Sequence, residues 1–169
     1  MAIKISIGTD YLDVQDIESK YGVNLSHDYV DFLTKRNGMF IDTGSYCTIP
    51  FLKVDNGDID FQELYGVNTI NPGFDLARAN EIRDEIMVFD NPFIIGADPG
   101  GNPFLINCNS NDAAVYYWDR THIHYDDGFD YGEINDEGSI YKVFDSFSDF
   151  YDAINLNIGG DVNIVRERL

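Results

Sequence analysis

The sequence predicts an α+β domain in which a mixed, largely antiparallel sheet of about six strands is flanked by helices. Two observations point to it. Helical spacing of apolar residues occurs near the two ends of the chain and in one interior stretch, while six short apolar runs separated by turn residues follow one another between residues 45 and 144. Such segregation fits α+β better than a doubly wound parallel sheet, where strands and helices alternate. Length and composition complete the picture: 169 residues, 44% hydrophobic, with 12 Phe and 11 Tyr, is enough apolar surface for one core and far too much for a disordered acidic tail.

Taken in order, Asp13 is placed to cap a first helix in which Val14, Ile17 and Tyr21 recur at helical spacing, and Gly22 offers a left-handed stop. A second helix starts after Ser26, turns Tyr29, Phe32 and Leu33 inward, and carries Lys35 and Arg36 in its last turn, where cations suit the helix dipole, before Asn37-Gly38. The two are expected to form a helical hairpin. The strand candidates are Cys47 to Leu52, Ile59 to Tyr65, Phe93 to Gly96, Phe104 to Asn107, Ala113 to Trp118 and Ile140 to Phe144, read as one sheet. Between the second and third, the turn Asn71-Pro72-Gly73 precedes a helix carrying Leu76, Ala79, Ile82 and Ile86, bounded by Asn91-Pro92. Ser146-Phe147-Ser148-Asp149 has the form of a capping box, opening a last helix with Phe147, Phe150, Tyr151 and Ile154 on one stripe. Residues 1–156 are expected to form one domain and 157–169 a C-terminal tail, which lacks an apolar period after Gly159-Gly160 and is expected to fray.

Charge narrows the function. Thirty Asp and Glu against eleven Lys and Arg give a formal charge of −19, far beyond the magnitude of about 2–8 that keeps a small domain soluble. Such a field repels phosphate, and the cations are scattered, so direct nucleic-acid or anionic-membrane binding is disfavoured and a cationic protein partner favoured. Solubility alone is the plainer explanation of the same acidity. No basic stretch precedes an apolar leader and no apolar run approaches a membrane span, so the expected location is cytoplasmic. Cys47 and Cys108 form neither a disulfide framework nor a zinc pattern and are expected to be buried reduced thiols.

Three constellations resemble chemistry and stop short of it. Gly96 to Pro103 has glycines at phosphate-loop spacing, but Asn102 and Pro103 stand where Lys and Ser or Thr are required, and a hairpin turn is the expected structure. Asp55, Asp58, Asp60 and Glu63 crowd one loop without the calcium-loop pattern, because the sixth position counted from Asp58 is Glu63 rather than glycine. His122 and His124 would share a face in an extended segment, with no assured third ligand. No catalytic residue, metal ligand or cofactor is assigned, and the chain is expected not to be an enzyme.

The most unusual stretch runs from Asp119 to Glu137. Its acids Asp119, Asp126, Asp127, Asp130, Glu133, Asp136 and Glu137 face one Arg120, and Tyr125, Phe129 and Tyr131 are interleaved with them. Rigid aromatic anchors among negative charges suit a surface that binds a cationic protein, and these ten residues are the candidate partner-binding set. A solvated loop with aromatics tucked beneath it is the alternative.

Tyr21-Gly22-Val23, Leu25-Ser26-His27-Asp28-Tyr29 leading to Phe32-Leu33, and Asn37-Gly38 resemble the opening of the SUKH superfamily, the Smi/Knr-like proteins. Phe93-Ile94-Ile95-Gly96 through Pro103-Phe104 resembles its glycine-rich hairpin, Val115-Tyr116-Tyr117-Trp118-Asp119 the following strand, and Phe144 to Phe150 the last helix. The resemblance spans roughly residues 13–156. It departs at Ser26, where proline is common, and in the acidic insert of about twenty residues after Trp118. It implies an α+β fold and, in bacteria, an immunity protein that neutralises a polymorphic or contact-dependent toxin, while the acidic surface makes a basic nuclease-type domain the expected target. The fungal relatives imply the alternative, a cytoplasmic regulatory scaffold for cell-wall synthesis.

Overall fold

The computed structural model describes residues 3–54, 56–108, 113–120 and 140–169. In chain order these form β1 (Ile3–Ile5), α1 (Tyr11–Tyr21), α2 (His27–Lys35), β2 (Met39–Ile41), β3 (Ser45–Pro50), β4 (Asp58–Asp60), β5 (Glu63–Leu64), α3 (Leu76–Ala79), β6 (Pro92–Ala97), β7 (Pro103–Asn107), β8 (Val115–Trp118), β9 (Ile140–Phe144), α4 (Phe147–Asn157), β10 (Ile158–Gly160) and β11 (Ile164–Arg166). The fold is α+β. Its main sheet has the order β11-β1-β2-β5-β6-β7-β8-β9, antiparallel throughout except where β1 runs parallel to β11.

The expected single sheet is corrected to two, because β3 pairs with β10 and β4 in a separate three-stranded sheet. The expected strand Ile59 to Tyr65 divides accordingly. Phe61 still donates its amide to Cys47 on β3, but Gln62 donates to the Ala97 carbonyl on β6, so the chain crosses from one sheet to the other between these two residues. The segment expected to fray is instead paired at β10 and β11, and its Leu169 is buried.

Helix boundaries follow local chemistry. Helix α1 starts one turn earlier than expected, after Asp10, whose extended backbone (φ −70°, ψ 148°) enters the helix. Asp13 lies inside the first turn, where its carboxylate accepts the Thr9 hydroxyl at 2.8 Å and complements the helix dipole. Gly22 closes α1 in the left-handed region (φ 63°) as expected. The interior helix keeps α geometry only over α3 and tightens to a 3-10 helix over Asn80–Glu85. The side chain of Asn80 ends the α turn: it donates to the Leu76 and Ile94 carbonyls, both at 2.9 Å, and accepts the Ile94 amide at 2.8 Å. Ser146 caps α4 as expected, its Oγ accepting the Asp149 amide at 3.0 Å, and in place of the reciprocal bond of a capping box it donates to the Asp149 carboxylate at 2.7 Å.

Alternation along the central strands buries both faces of the main sheet. Phe93, Ile95, Phe104, Ile106, Val115, Tyr117 and Tyr141 join the larger core with α1, α2 and α4. Ile94, Leu105, Tyr116, Trp118 and Ile140 form a smaller core on the other face, covered by Ile82, Ile86, Val88 and Phe89. Phe150 anchors the larger one, its ring 4.8 Å from Phe104, 5.4 Å from Phe144 and 5.8 Å from Phe61. Asp28 ties α2 to α4, accepting the Ser148 amide at 2.8 Å and hydroxyl at 3.2 Å. No helix among the described residues is long and apolar enough to cross a membrane.

Candidate partner-binding surface

The hairpin between β6 and β7 is organised by one side chain. Asp98 Oδ1 accepts the amides of Gly100 and Asn102, both at 2.8 Å, and Oδ2 accepts the Asn102 side-chain amide at 2.8 Å and the Tyr117 hydroxyl at 2.9 Å. Gly101 takes a positive φ of 84°, which a glycine adopts without a Cβ clash. The turn thus matches the sequence reading of this segment as a hairpin, and it explains why an aspartate that would oppose phosphate stands in it: the carboxylate holds the turn together.

The same network reaches the base of the acidic stretch. Tyr117 comes from β8 and is only 5% exposed. Burial first, and then the adjacent Asp98 carboxylate, push its phenol far above the ordinary value, so it stays a hydrogen-bond donor. On the other side of the turn, Asn102 Oδ1 accepts the Arg120 amide at 2.8 Å. Arg120 lays its guanidinium 4.8 Å from the Trp118 ring centre and pairs with Glu85 at 3.2 Å. The chain therefore leaves β8 along a fixed path.

Between this turn and β4 lies a cleft of about 230 Å³. It is lined by Asp58 and Asp60 from β4, Asp98 and Asn102 from the hairpin, and Tyr117 and Asp119 from the end of β8. Four aspartates line it, with no lysine or arginine among the described lining residues. A concave wall of one sign concentrates the field at its mouth, which draws cationic groups in and repels phosphate.

Of the candidate partner-binding residues, the structure places Asp119 in this cleft, 8% exposed. Tyr125, Asp126, Asp127, Phe129, Asp130, Tyr131, Glu133, Asp136 and Glu137 lie outside the described residues, as do His122 and His124. The acidic group around the β3–β4 connection is divided rather than gathered. Asp58 and Asp60 are exposed on β4, Glu63 sits on β5 opposite Ala97 in the main sheet, and Asp55 lies outside the described residues. Burial raises the Glu63 carboxyl above its ordinary value, the hydrogen bond to Tyr65 opposing this in part. No group of three or more His, Cys, Asp or Glu among the described residues is arranged to hold a metal ion.

Sequence reasoning missed Asp98, Asn102 and Tyr117 as one unit. The signal was present: Asp-Pro-Gly-Gly-Asn between two apolar strands is an Asx-type turn, whose aspartate bonds its own backbone two and four residues on. The partner Tyr117 was not readable, because it arrives from a third strand.

The family model for the SMI1 / KNR4 family (SUKH-1) matches residues 9–153. The chain belongs to the SMI1/KNR4 (SUKH-1) family. The matched span begins just ahead of α1 and ends inside α4, so it takes in every element that lines the cleft of this SUKH-1 domain, while β1, β10 and β11 fall outside it. A comparison with curated proteins finds no match.

Proposed function

We propose that this SUKH-1 chain is an immunity protein: it binds a cognate bacterial toxin, a basic nuclease-type domain, and neutralises it by covering its cationic site, with no catalytic step of its own. The observation that carries the reading is the cleft formed by Asp58, Asp60, Asp98 and Asp119, from which the acidic and aromatic stretch to Glu137 continues in sequence. A nuclease must keep a positive site for phosphate, so an acidic face competes for that site and also speeds encounter by long-range attraction. The cytoplasm is where such a partner would be met. The same charge on the chain argues against direct nucleic-acid binding.

The test is co-expression with the toxin domain encoded beside this chain, scored for survival. Protection by the wild type is expected. Phe129→Ala or Tyr131→Ala should raise the dissociation rate by the ~1–4 kcal/mol of a buried interface anchor. Failure of the wild-type chain to protect would refute the reading, and a chain that instead bound cell-wall-synthesis components would support the scaffold alternative.

A further inference from the structure

Strand β4 is an end strand of the small sheet, with β3 on one side. Its ladder fixes where each backbone group points. Phe51 donates its amide to the Gly57 carbonyl at 2.9 Å and Phe61 donates to the Cys47 carbonyl at 2.8 Å. In an antiparallel ladder bonded pairs alternate with non-bonded ones, so with Ile49 opposite Ile59 that pair is bonded, while Pro50/Asp58 and Thr48/Asp60 are non-bonded. Asp58 and Asp60 therefore turn their N–H and C=O groups away from β3. No backbone hydrogen bond to another described element uses them. Pro50, which has no N–H to give, occupies a non-bonded position, as this register requires.

That open edge borders the cleft. Two residues beyond Asp60, Gln62 is already bonded to Ala97 at 3.1 Å, whereas β4 itself diverges from the β6–β7 turn and leaves the acidic space between them. A ligand here meets two demands at once. The outward peptide groups call for an extended chain, and the negative charge of the cleft, with Asp58 and Asp60 exposed along it, favours cations.

We propose that β4 takes an added strand: an extended segment of a partner protein, with Lys or Arg at alternate positions, pairs along Asp58–Asp60 and directs those side chains into the cleft. Period-two alternation puts residues i and i+2 on one face, which matches cations to the acidic wall while the main chain bonds the edge. A second copy of this chain is a poor occupant, since two bodies of charge −19 repel each other. The proposal rests on the reading of a basic protein partner, and it adds how that partner is held.

The experiment uses the ¹⁵N-labelled full chain and the probe acetyl-Arg-Val-Arg-Val-Arg-Val-amide, compared with the same peptide N-methylated at alternate residues along its pairing edge. Binding should shift the Asp58 and Asp60 amide resonances and slow their hydrogen exchange, and N-methylation should weaken it by about tenfold with charge unchanged. Asp60→Pro removes an outward N–H and no main-chain bond to β3, and since Asp60→Ala loses the same 2.8 Å hydrogen bond from the Thr48 hydroxyl, the proline variant should lose about tenfold in affinity relative to the alanine one. Equal affinities for the two peptides, absence of binding, or fast exchange at Asp58 and Asp60 in the saturated chain would overturn the proposal. If Asp60→Pro does not fold, the two-peptide comparison and the exchange measurement on the wild type decide alone. Protection against the toxin with an unprotected β4 edge would leave the immunity reading standing and remove only this one.

Discussion

Replacing Asp98 with alanine removes one acceptor from four donors at once. The Gly100 main-chain amide is exposed and regains water, and that of Asn102, a residue only 8% exposed, regains it in part, so each loss should cost about 0.5–1 kcal/mol. The Asn102 side-chain amide falls in the same range. The Tyr117 hydroxyl is different, because it is buried and loses the carboxylate it faces, at about 1–2 kcal/mol. The sum is about 2.5–5 kcal/mol, a fall in melting temperature of about 5–20 °C for a chain of this size. Urea denaturation of Asp98→Ala, Tyr117→Phe and the double variant separates the shared term, and their coupling should be about 1 kcal/mol or more. A cost below about 1 kcal/mol for Asp98→Ala, or a coupling near zero, would refute the claim that this carboxylate organises the hairpin and the end of β8.

Phe150→Ala should cost about 3–5 kcal/mol by denaturant titration, because the ring is fully buried among Phe61, Phe104 and Phe144. Trp118→Ala should fall at the lower end of that range, since Arg120 rather than the core covers one side of the indole. For Asp28, burial acts to raise the carboxyl, but the neighbouring Ser26 hydroxyl and the hydrogen bonds from Ser148 and Tyr29 outweigh it and hold the folded value below the ordinary 3.8. Its contribution is therefore present above that value and is lost as pH falls through the lower folded one, so Asp28→Asn should flatten the acid limb of stability against pH and leave its shape above about pH 5 unchanged. Burial pushes both thiols up to about 12. Cys47 and Cys108 should thus resist iodoacetamide at pH 8 in the folded chain and react on unfolding; rapid labelling of either in the native state would contradict their placement.

The helices were legible where an apolar stripe and a stop coincide. Tyr29, Phe32 and Leu33 on α2, and Phe147, Phe150 and Ile154 on α4, all face the core as their spacing requires. The start of α1 was misplaced because Asp10 and Asp13 are both capable caps, and the choice between them depends on Thr9 bonding Asp13. Strands β1, β2, β10 and β11 escaped notice for a physical reason: each has three residues, too few to show a period, and each exists through partners distant in sequence. The split into two sheets has the same origin. Ile59 to Tyr65 is one apolar run in sequence, and only the competing partners Cys47 and Ala97 divide it. At the candidate surface, composition announced the acid but not its arrangement. Asp58-Ile59-Asp60, charged on both sides of a buried isoleucine, was read as part of a crowded loop, whereas alternation of this kind marks a strand with one buried and one solvated face.

Capture by an acidic face is tested most directly by the association rate between the purified chain and the toxin domain encoded beside it, measured by stopped flow at low and high salt. For Asp126→Lys/Asp127→Lys/Asp130→Lys, folding should survive and association at low salt should slow, with the gap to wild type shrinking as salt screens the field. Equal rates at both ionic strengths would contradict an acidic face that captures a basic partner through this stretch.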